Sequence, residues 1–267
     1  MQNCICTMNK TIRGLVLKSA PFKENDLLLT ILTSEQGKMN VLCRGVRRSK
    51  KTVLYTQPFV YSEFDLFCGK GLAVVDGAEV CEAFYGLRED IVCLALAQYL
   101  CDVAAFAAGG RGNAAMLRLL LNSLSLLAEK KTDPTVIKIV FELRYALLEG
   151  FAPVGGTCCV CGQDAVFWQF ANGLLCERCA GGSGYRVSAA VVSAIEHVLT
   201  ASGRRMYAFR MNPEALAYLS RLTQENIRYH LEYDFASLKY YQQFTELERS
   251  VLPQTGTNSD ADPNRKG

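Results

Sequence analysis

The sequence predicts an α+β multidomain protein, with an N-terminal five-stranded β-barrel followed by an all-α domain into which a four-cysteine hairpin is inserted. Three observations carry this reading. Five short β-type runs follow one another before Val80, the apolar period then switches to helical, and two C-x-x-C pairs stand inside the helical half.

The β-type runs are Ile12–Lys18, Leu27–Thr33, Met39–Arg44, Phe59–Phe67 and Leu72–Val80. Turn chemistry such as Glu35-Gln36-Gly37-Lys38 and Cys68-Gly69-Lys70-Gly71 separates them. In the third run Met39, Val41 and Cys43 alternate with Lys38, Asn40, Leu42 and Arg44, so one face turns inward and a partly cationic face turns outward. The five-stranded barrel that uses such a face for oligonucleotides is the OB-fold.

Net charge is only +3, too small to imply a nucleic-acid partner by itself. Its distribution is uneven. Between Gln36 and Ser62 stand six cations, Lys38, Arg44, Arg47, Arg48, Lys50 and Lys51, and no Asp or Glu. The segment Arg47–Lys51 reads as a loop whose cations follow a phosphate backbone, with a solvated loop lacking any ligand as the plainer alternative. Tyr55 and Phe59 lie close enough in sequence to offer a base a stacking surface, but core packing is the favoured reading for both.

After Val80, Phe84–Ala107 and Ala114–Lys130 are apolar at helical spacing. Asp133-Pro134 supplies an N-cap and a first-turn proline for a helix running to Gly150. These segments are apolar around much of their circumference and should pack on one another as a bundle. The Gly109-Gly110-Arg111-Gly112 run between the first two is a helix connection, since it lacks the preceding strand and the Gly-Lys-Ser/Thr ending of a phosphate loop. Helical patterning resumes from Ser188 to Gly203 and from Asn212-Pro213 to Phe244, with a break near Tyr233–Ala236. A polar tail, 253–267, should be disordered.

Cys158-x-x-Cys161 and Cys176-x-x-Cys179 are separated by fourteen residues with an Asn172-Gly173 turn between them. A hairpin with a thiolate knuckle at each end is what one tetrahedral Zn2+ ion needs. Four thiolates leave no open coordination position, so the site is structural. Val166–Phe170 and Leu174–Leu175 form its strands. Cys159 is an extra thiol in the first knuckle, which leaves the first ligand open between Cys158 and Cys159. Cys93 and Cys101, eight residues apart, share a helix face and belong to the core. Cys4 and Cys6 belong to a leader that reads as dispensable, since translation from Met8 removes them.

No stretch has the signal-peptide pattern or approaches the roughly 18–20 apolar residues of a membrane span, so a cytoplasmic protein with reduced thiols is expected. Only two histidines exist, His197 and His230, both in helical patterns without a local catalytic partner. Hydrolase, nucleotide-binding, zinc-protease and deaminase motifs are missing, which argues against an enzyme.

The order of parts resembles a known family. Gly14–Lys18, Glu24-Asn25-Asp26-Leu27, Thr33–Lys38, the Cys43-Arg-Gly-Val-Arg-Arg-Ser-Lys50 segment, then C-x-x-C-G and G-L-L-C-x-x-C within a helical region, resemble the RecO family of bacterial recombination-repair proteins from about Met8 to Phe244. The resemblance implies an OB-fold domain over 8–82, a helical domain over 83–252 and a zinc hairpin over 156–182. It implies binding to single- and double-stranded DNA, strand annealing, contacts with RecR and with the C-terminal tail of single-strand binding protein, and help in loading RecA. It carries the DNA-binding role to Arg44, Arg47, Arg48 and Lys50, to which the charge pattern adds Lys38 and Lys51. It carries the zinc ligands to Cys158, Cys161, Cys176 and Cys179. A scaffold for an acidic peptide, with no DNA function of its own, is the competing reading.

Overall fold

The computed structural model describes residues 8–46, 50–69, 71–107 and 114–251. The leader with Cys4 and Cys6, Arg47 and Arg48, the glycine-rich connection 109–112 and the tail 253–267 lie outside these residues.

Strands β1 (Met8–Pro21), β2 (Leu27–Thr33), β3 (Gly37–Cys43), β4 (Tyr61–Cys68) and β5 (Ala73–Glu82) close a barrel in the order β1-β2-β3-β5-β4. All neighbours are antiparallel except β3 and β5, which run parallel through Val41↔Ala73 to Cys43↔Val75. This is the five-stranded OB-like arrangement. One strand, β1, is long enough to pair β4 through its first half and β2 through its second, and its register with β2 slips between Val16 and Lys18. Such a bulge bends a strand around a barrel corner.

Alternation along β1 and β2 explains how the barrel joins the rest. Ile12, Val16, Leu29 and Ile31 pack inside the barrel with Phe64 and Leu66. Leu15, Leu17 and Leu32 point to the opposite face and are buried with the helices, as is Phe59. Both faces of this side of the barrel are therefore covered: the barrel keeps its own interior core, and its outer face joins the core of the helices.

The expected helix over Phe84–Ala107 is two pieces, a 3-10 turn (Tyr85–Glu89) and α2 (Ile91–Ala107). The division falls at Asp90, whose carboxylate accepts the backbone N–H groups of Val92 and Cys93. Within the turn, Gly86 lies so close to the Ala128 carbonyl that no Cβ fits there. Helices α3 (Ala114–Glu129) and α4 (Pro134–Glu149) follow, the latter capped by Asp133 and ended by Gly150 in the left-handed region, as the sequence predicts. Past the cysteine hairpin come α6 (Ala189–Thr200), α7 (Pro213–Leu231) and α8 (Ala236–Val251), with a short α5 (Glu177–Ala180) inside the hairpin. The break between α7 and α8 falls where the pattern placed it, while α8 extends past the expected end at Phe244.

One polar network lies inside this apolar bundle. The Lys138 ammonium donates to the Glu142 carboxylate at 2.9 Å and to the Ser220 carbonyl at 2.9 Å. Glu142 also accepts the hydroxyls of Tyr99, at 2.7 Å, and Thr223, at 2.6 Å. Burial pulls the Lys138 pKa down and pushes the Tyr99 pKa up. The network ties α2, α4 and α7 together.

Candidate metal clasp and nucleic-acid face

The hairpin is built from β6 (Phe167–Gln169) and β7 (Gly173–Leu175), with a third strand, β8 (Tyr185–Arg186), on the other side of β6. Two-residue β8 was not visible in the sequence, because so short an exposed strand has no periodicity to read. In the first knuckle the Cys158 N–H bonds to the Gln163 carbonyl at 2.7 Å, and Gly162 closes the turn with φ 73. In the second, Cys176 stands at the N-cap of α5 and Cys179 one turn on.

The sulfurs of Cys158, Cys161, Cys176 and Cys179 all lie within 4.8 Å of one another, and Cys161 is 3.6 Å from both Cys176 and Cys179. Zn–S bonds of about 2.3 Å in a tetrahedron place sulfurs about 3.8 Å apart, so the donor set fits one zinc ion. Backbone N–H groups aimed at the sulfurs, that of Cys176 foremost, hold the Cys158 thiol down at about 6. The Cys179 amide acts in the same direction on Cys176. Cys159 faces away: its thiol donates to the Asn172 carbonyl at 3.1 Å and is exposed. The knuckle thus presents Cys158 to the cluster.

Alternation along β6 anchors the clasp. Phe167 packs with the cysteines, while Trp168, 1% exposed, inserts into the helical core. His230 on α7 meets the Phe170 carbonyl through Nε2 at 3.0 Å and stacks on Phe151, centroids 4.2 Å apart. His197 likewise meets the Arg205 carbonyl at 2.8 Å. Both imidazoles serve packing.

The cations expected to face DNA are distributed unevenly. Arg44 is exposed at the end of β3. Lys38 is exposed too, but its ammonium donates to the Ala105 carbonyl in the last turn of α2 at 2.6 Å. Lys50 and Lys51 do not belong to a loop: they open a short helix, α1 (Lys50–Tyr55). The sequence signal was masked there because a six-residue helix has too few turns to show a period. Tyr55 packs edge-on against Phe64 in the barrel core and Phe59 is buried, so neither is a free stacking surface.

Sequence reasoning missed a notch beside the cationic segment. Lys23, Asp26, Val46, Val53 and Pro58 line a cavity of about 310 Å³. Phe22, 45% exposed, stands in the adjoining turn with the Lys23 ammonium 5.9 Å from its ring centroid. Asp26 accepts the Gly45 N–H and the Asn25 carbonyl accepts the Val46 N–H, so this turn is stitched to the start of the basic run. A phenylalanine amid Pro21, Lys23 and Glu24 was the available signal.

A closed five-stranded barrel seated on a helical domain with a four-thiolate clasp defines a class of two-domain barrel–helix proteins. No helix among the described residues is long and apolar enough to cross a membrane. Residues 8–84 match the family described as Recombination protein O N terminal, and residues 88–239 match Recombination protein O C terminal. The DNA repair protein RecO of Alkaliphilus metalliredigens is 32% identical over 227 residues, covering 82% of this chain and 92% of that one. The DNA repair protein RecO of Acetivibrio thermocellus is 29% identical over 235 residues, covering 85% and 94%. The chain belongs to the recombination protein O family of DNA repair proteins.

Proposed function

We propose that this protein is a cytoplasmic, nucleoid-associated recombination mediator that binds and anneals single-stranded DNA, also binds double-stranded DNA, and helps to load RecA on DNA coated by single-strand binding protein. It acts by binding and strand positioning, without chemistry of its own. The observation that carries this reading is the acid-free cationic segment Lys38–Lys51 on an OB-like barrel in a DNA repair family. Arg44, Arg47, Arg48, Lys50 and Lys51 neutralise phosphates, Lys38 contributes less because α2 engages it, and two strands with reduced repulsion can pair. One structural Zn2+ held by Cys158, Cys161, Cys176 and Cys179 keeps the hairpin folded against α7.

The same reading includes RecR and the acidic tail of single-strand binding protein as partners. A groove of about 350 Å³ where α3, α4 and the turn after α6 meet supports the latter. Leu119, Leu147 and Met206 supply apolar wall, and Arg118 and Arg144 supply charge. The Arg144 guanidinium donates to the carbonyls of Leu199 and Ala201, while its buried Nε–H has no partner. That groove is also the observation favouring the second reading, a scaffold for an acidic peptide alone.

The test is Arg47→Ala with Arg48→Ala, measured by oligonucleotide binding and annealing across a salt series. Losing two phosphate contacts flattens the plot of log K against log salt by about 1.4 for single strands. A double variant that binds and anneals like the parent at every salt concentration refutes the assignment. Parent protein that binds an acidic peptide but no DNA at low salt favours the scaffold.

A further inference from the structure

Where the zinc hairpin meets the end of α7, four aromatic rings from separate elements converge. Phe170 follows β6, Tyr185 lies in β8, Tyr229 is in the last turn of α7 and Tyr233 is in the turn beyond it. Phe170 stacks on Tyr185 with centroids 4.9 Å apart and lies 5.8 Å from Tyr229. Together they wall an open bowl of about 380 Å³. Tyr229 and Tyr233 are 53% and 50% exposed, with Tyr233 backed by Phe106 and Phe235 at 5.2 and 4.8 Å, so both present ring surface to the bowl.

The rim of the bowl is acidic. Glu225, Glu232 and Asp234 line it, against a single cation, Arg228. The Arg228 guanidinium is spent on Glu225, which accepts its Nε–H at 3.0 Å and its Nη2–H at 2.7 Å. Arg228 also feels the Asp234 carboxylate, yet three carboxylates against one cation leave the rim net negative, and the carbonyl end of α7 adds the negative pole of its dipole at the same place. Glu232 holds its position at φ 50, a conformation that costs a non-glycine residue energy. Phosphate is repelled here, and a purely apolar ligand leaves the carboxylates unused. Rings and carboxylates together suit a planar cation, which stacks on the aromatic faces and bonds a carboxylate bidentately.

We propose that this bowl is a docking site for an arginine side chain on a basic segment of a protein partner. The site is independent of the DNA reading, since it lies on the helical domain and carries the opposite charge from the barrel segment. It also gives the clasp a second consequence, because Phe170 and Tyr185 are held in place by the hairpin.

The experiment uses the full chain loaded with zinc and a fluorescein-labelled Gly-Ser-Arg-Gly-Arg-Ser-Gly peptide, followed by anisotropy. Matched peptides carry lysine or glutamate in place of arginine. The arginine peptide is expected to bind at least about tenfold more tightly than the glutamate peptide, and more tightly than the lysine one. Tyr229→Leu should weaken it about tenfold. Glu232→Gly with Asp234→Asn should do the same, while the glycine relieves backbone strain and keeps the fold intact. Oligonucleotide affinity, measured separately, should be unchanged in both variants. The proposal is overturned if arginine and glutamate peptides bind alike, if neither binds, or if the folded variants bind the arginine peptide as the parent does.

Discussion

Replacing Lys138 with methionine tests how the helical domain is held. Lys138 and Glu142 are 1% and 0% exposed, and every donor of the ammonium has a protein partner. Lys138→Met leaves the Glu142 carboxylate buried with two hydroxyl donors and no cation. Breaking a buried pair in this way costs about 3–5 kcal/mol. At about 2–4 °C per kcal/mol for a domain of this size, the melting temperature should fall by about 6–20 °C. Glu142→Leu, which strands the ammonium instead, should cost a similar amount. The double variant Lys138→Met/Glu142→Leu should be milder than the sum of the two. Thr223 keeps the Ser220 carbonyl as an acceptor at 3.1 Å, so only the Tyr99 hydroxyl loses its acceptor, for about 1–3 kcal/mol. Thermal and urea unfolding followed by circular dichroism measures all three. Single variants costing under about 1 kcal/mol, or costs that simply add, would refute the view that charge compensation fixes α4 against α2 and α7.

Cys176→Ser with Cys179→Ser should abolish zinc binding, read by metal analysis after gel filtration, and lower the melting temperature; a metal-free variant as stable as the parent sinks the clasp. The same variant should lose affinity for the arginine peptide while retaining oligonucleotide affinity. Lys38→Met should reduce DNA affinity less than Arg44→Met, because the Ala105 carbonyl already engages the Lys38 ammonium; binding titrations that rank them the other way would contradict this. Iodoacetamide at pH 8 with peptide mapping should label the exposed Cys81 and Cys159 and spare Cys93 and Cys101. Burial pushes the Cys93 thiol up to about 12 and Cys101 up as well, so little thiolate exists there at that pH. Rapid labelling of Cys101 in native protein would show the bundle to be looser than described.

Much of this architecture was legible because the signals were local and repeated. All five barrel strands are legible, with shifts only at their ends, since runs of β-type residues separated by turn chemistry such as Glu35–Lys38 and Cys68–Gly71 are hard to mistake. Asp133-Pro134 and Gly150 marked α4 at both ends. The four thiols were evident from spacing alone, and three-dimensional placement was needed only to separate Cys158 from Cys159. What stayed hidden depends on contacts between distant residues. Lys38 looks like any other cation until α2 arrives beneath it. Lys138 and Glu142 look like a surface i, i+4 pair until Tyr99 and Thr223 close over them. The aromatic bowl is assembled from residues between 170 and 234, none of which forms a motif with its own neighbours.

The place of α8 has a consequence for how the chain is made. Helix α2 is buried around most of its circumference, and α8 covers one of its sides, with Phe235 just before that helix set edge-on against Tyr99. During vectorial synthesis the barrel can close as soon as β5 emerges, but α2 must wait for the last described helix before that face leaves water. The α8-facing side of α2 is therefore exposed on the ribosome while residues 108–235 are being added, an interval in which a nascent chain is open to aggregation and to chaperone capture. Stalling or truncation ahead of residue 236 should therefore release a folded barrel tethered to a sticky, unfinished bundle.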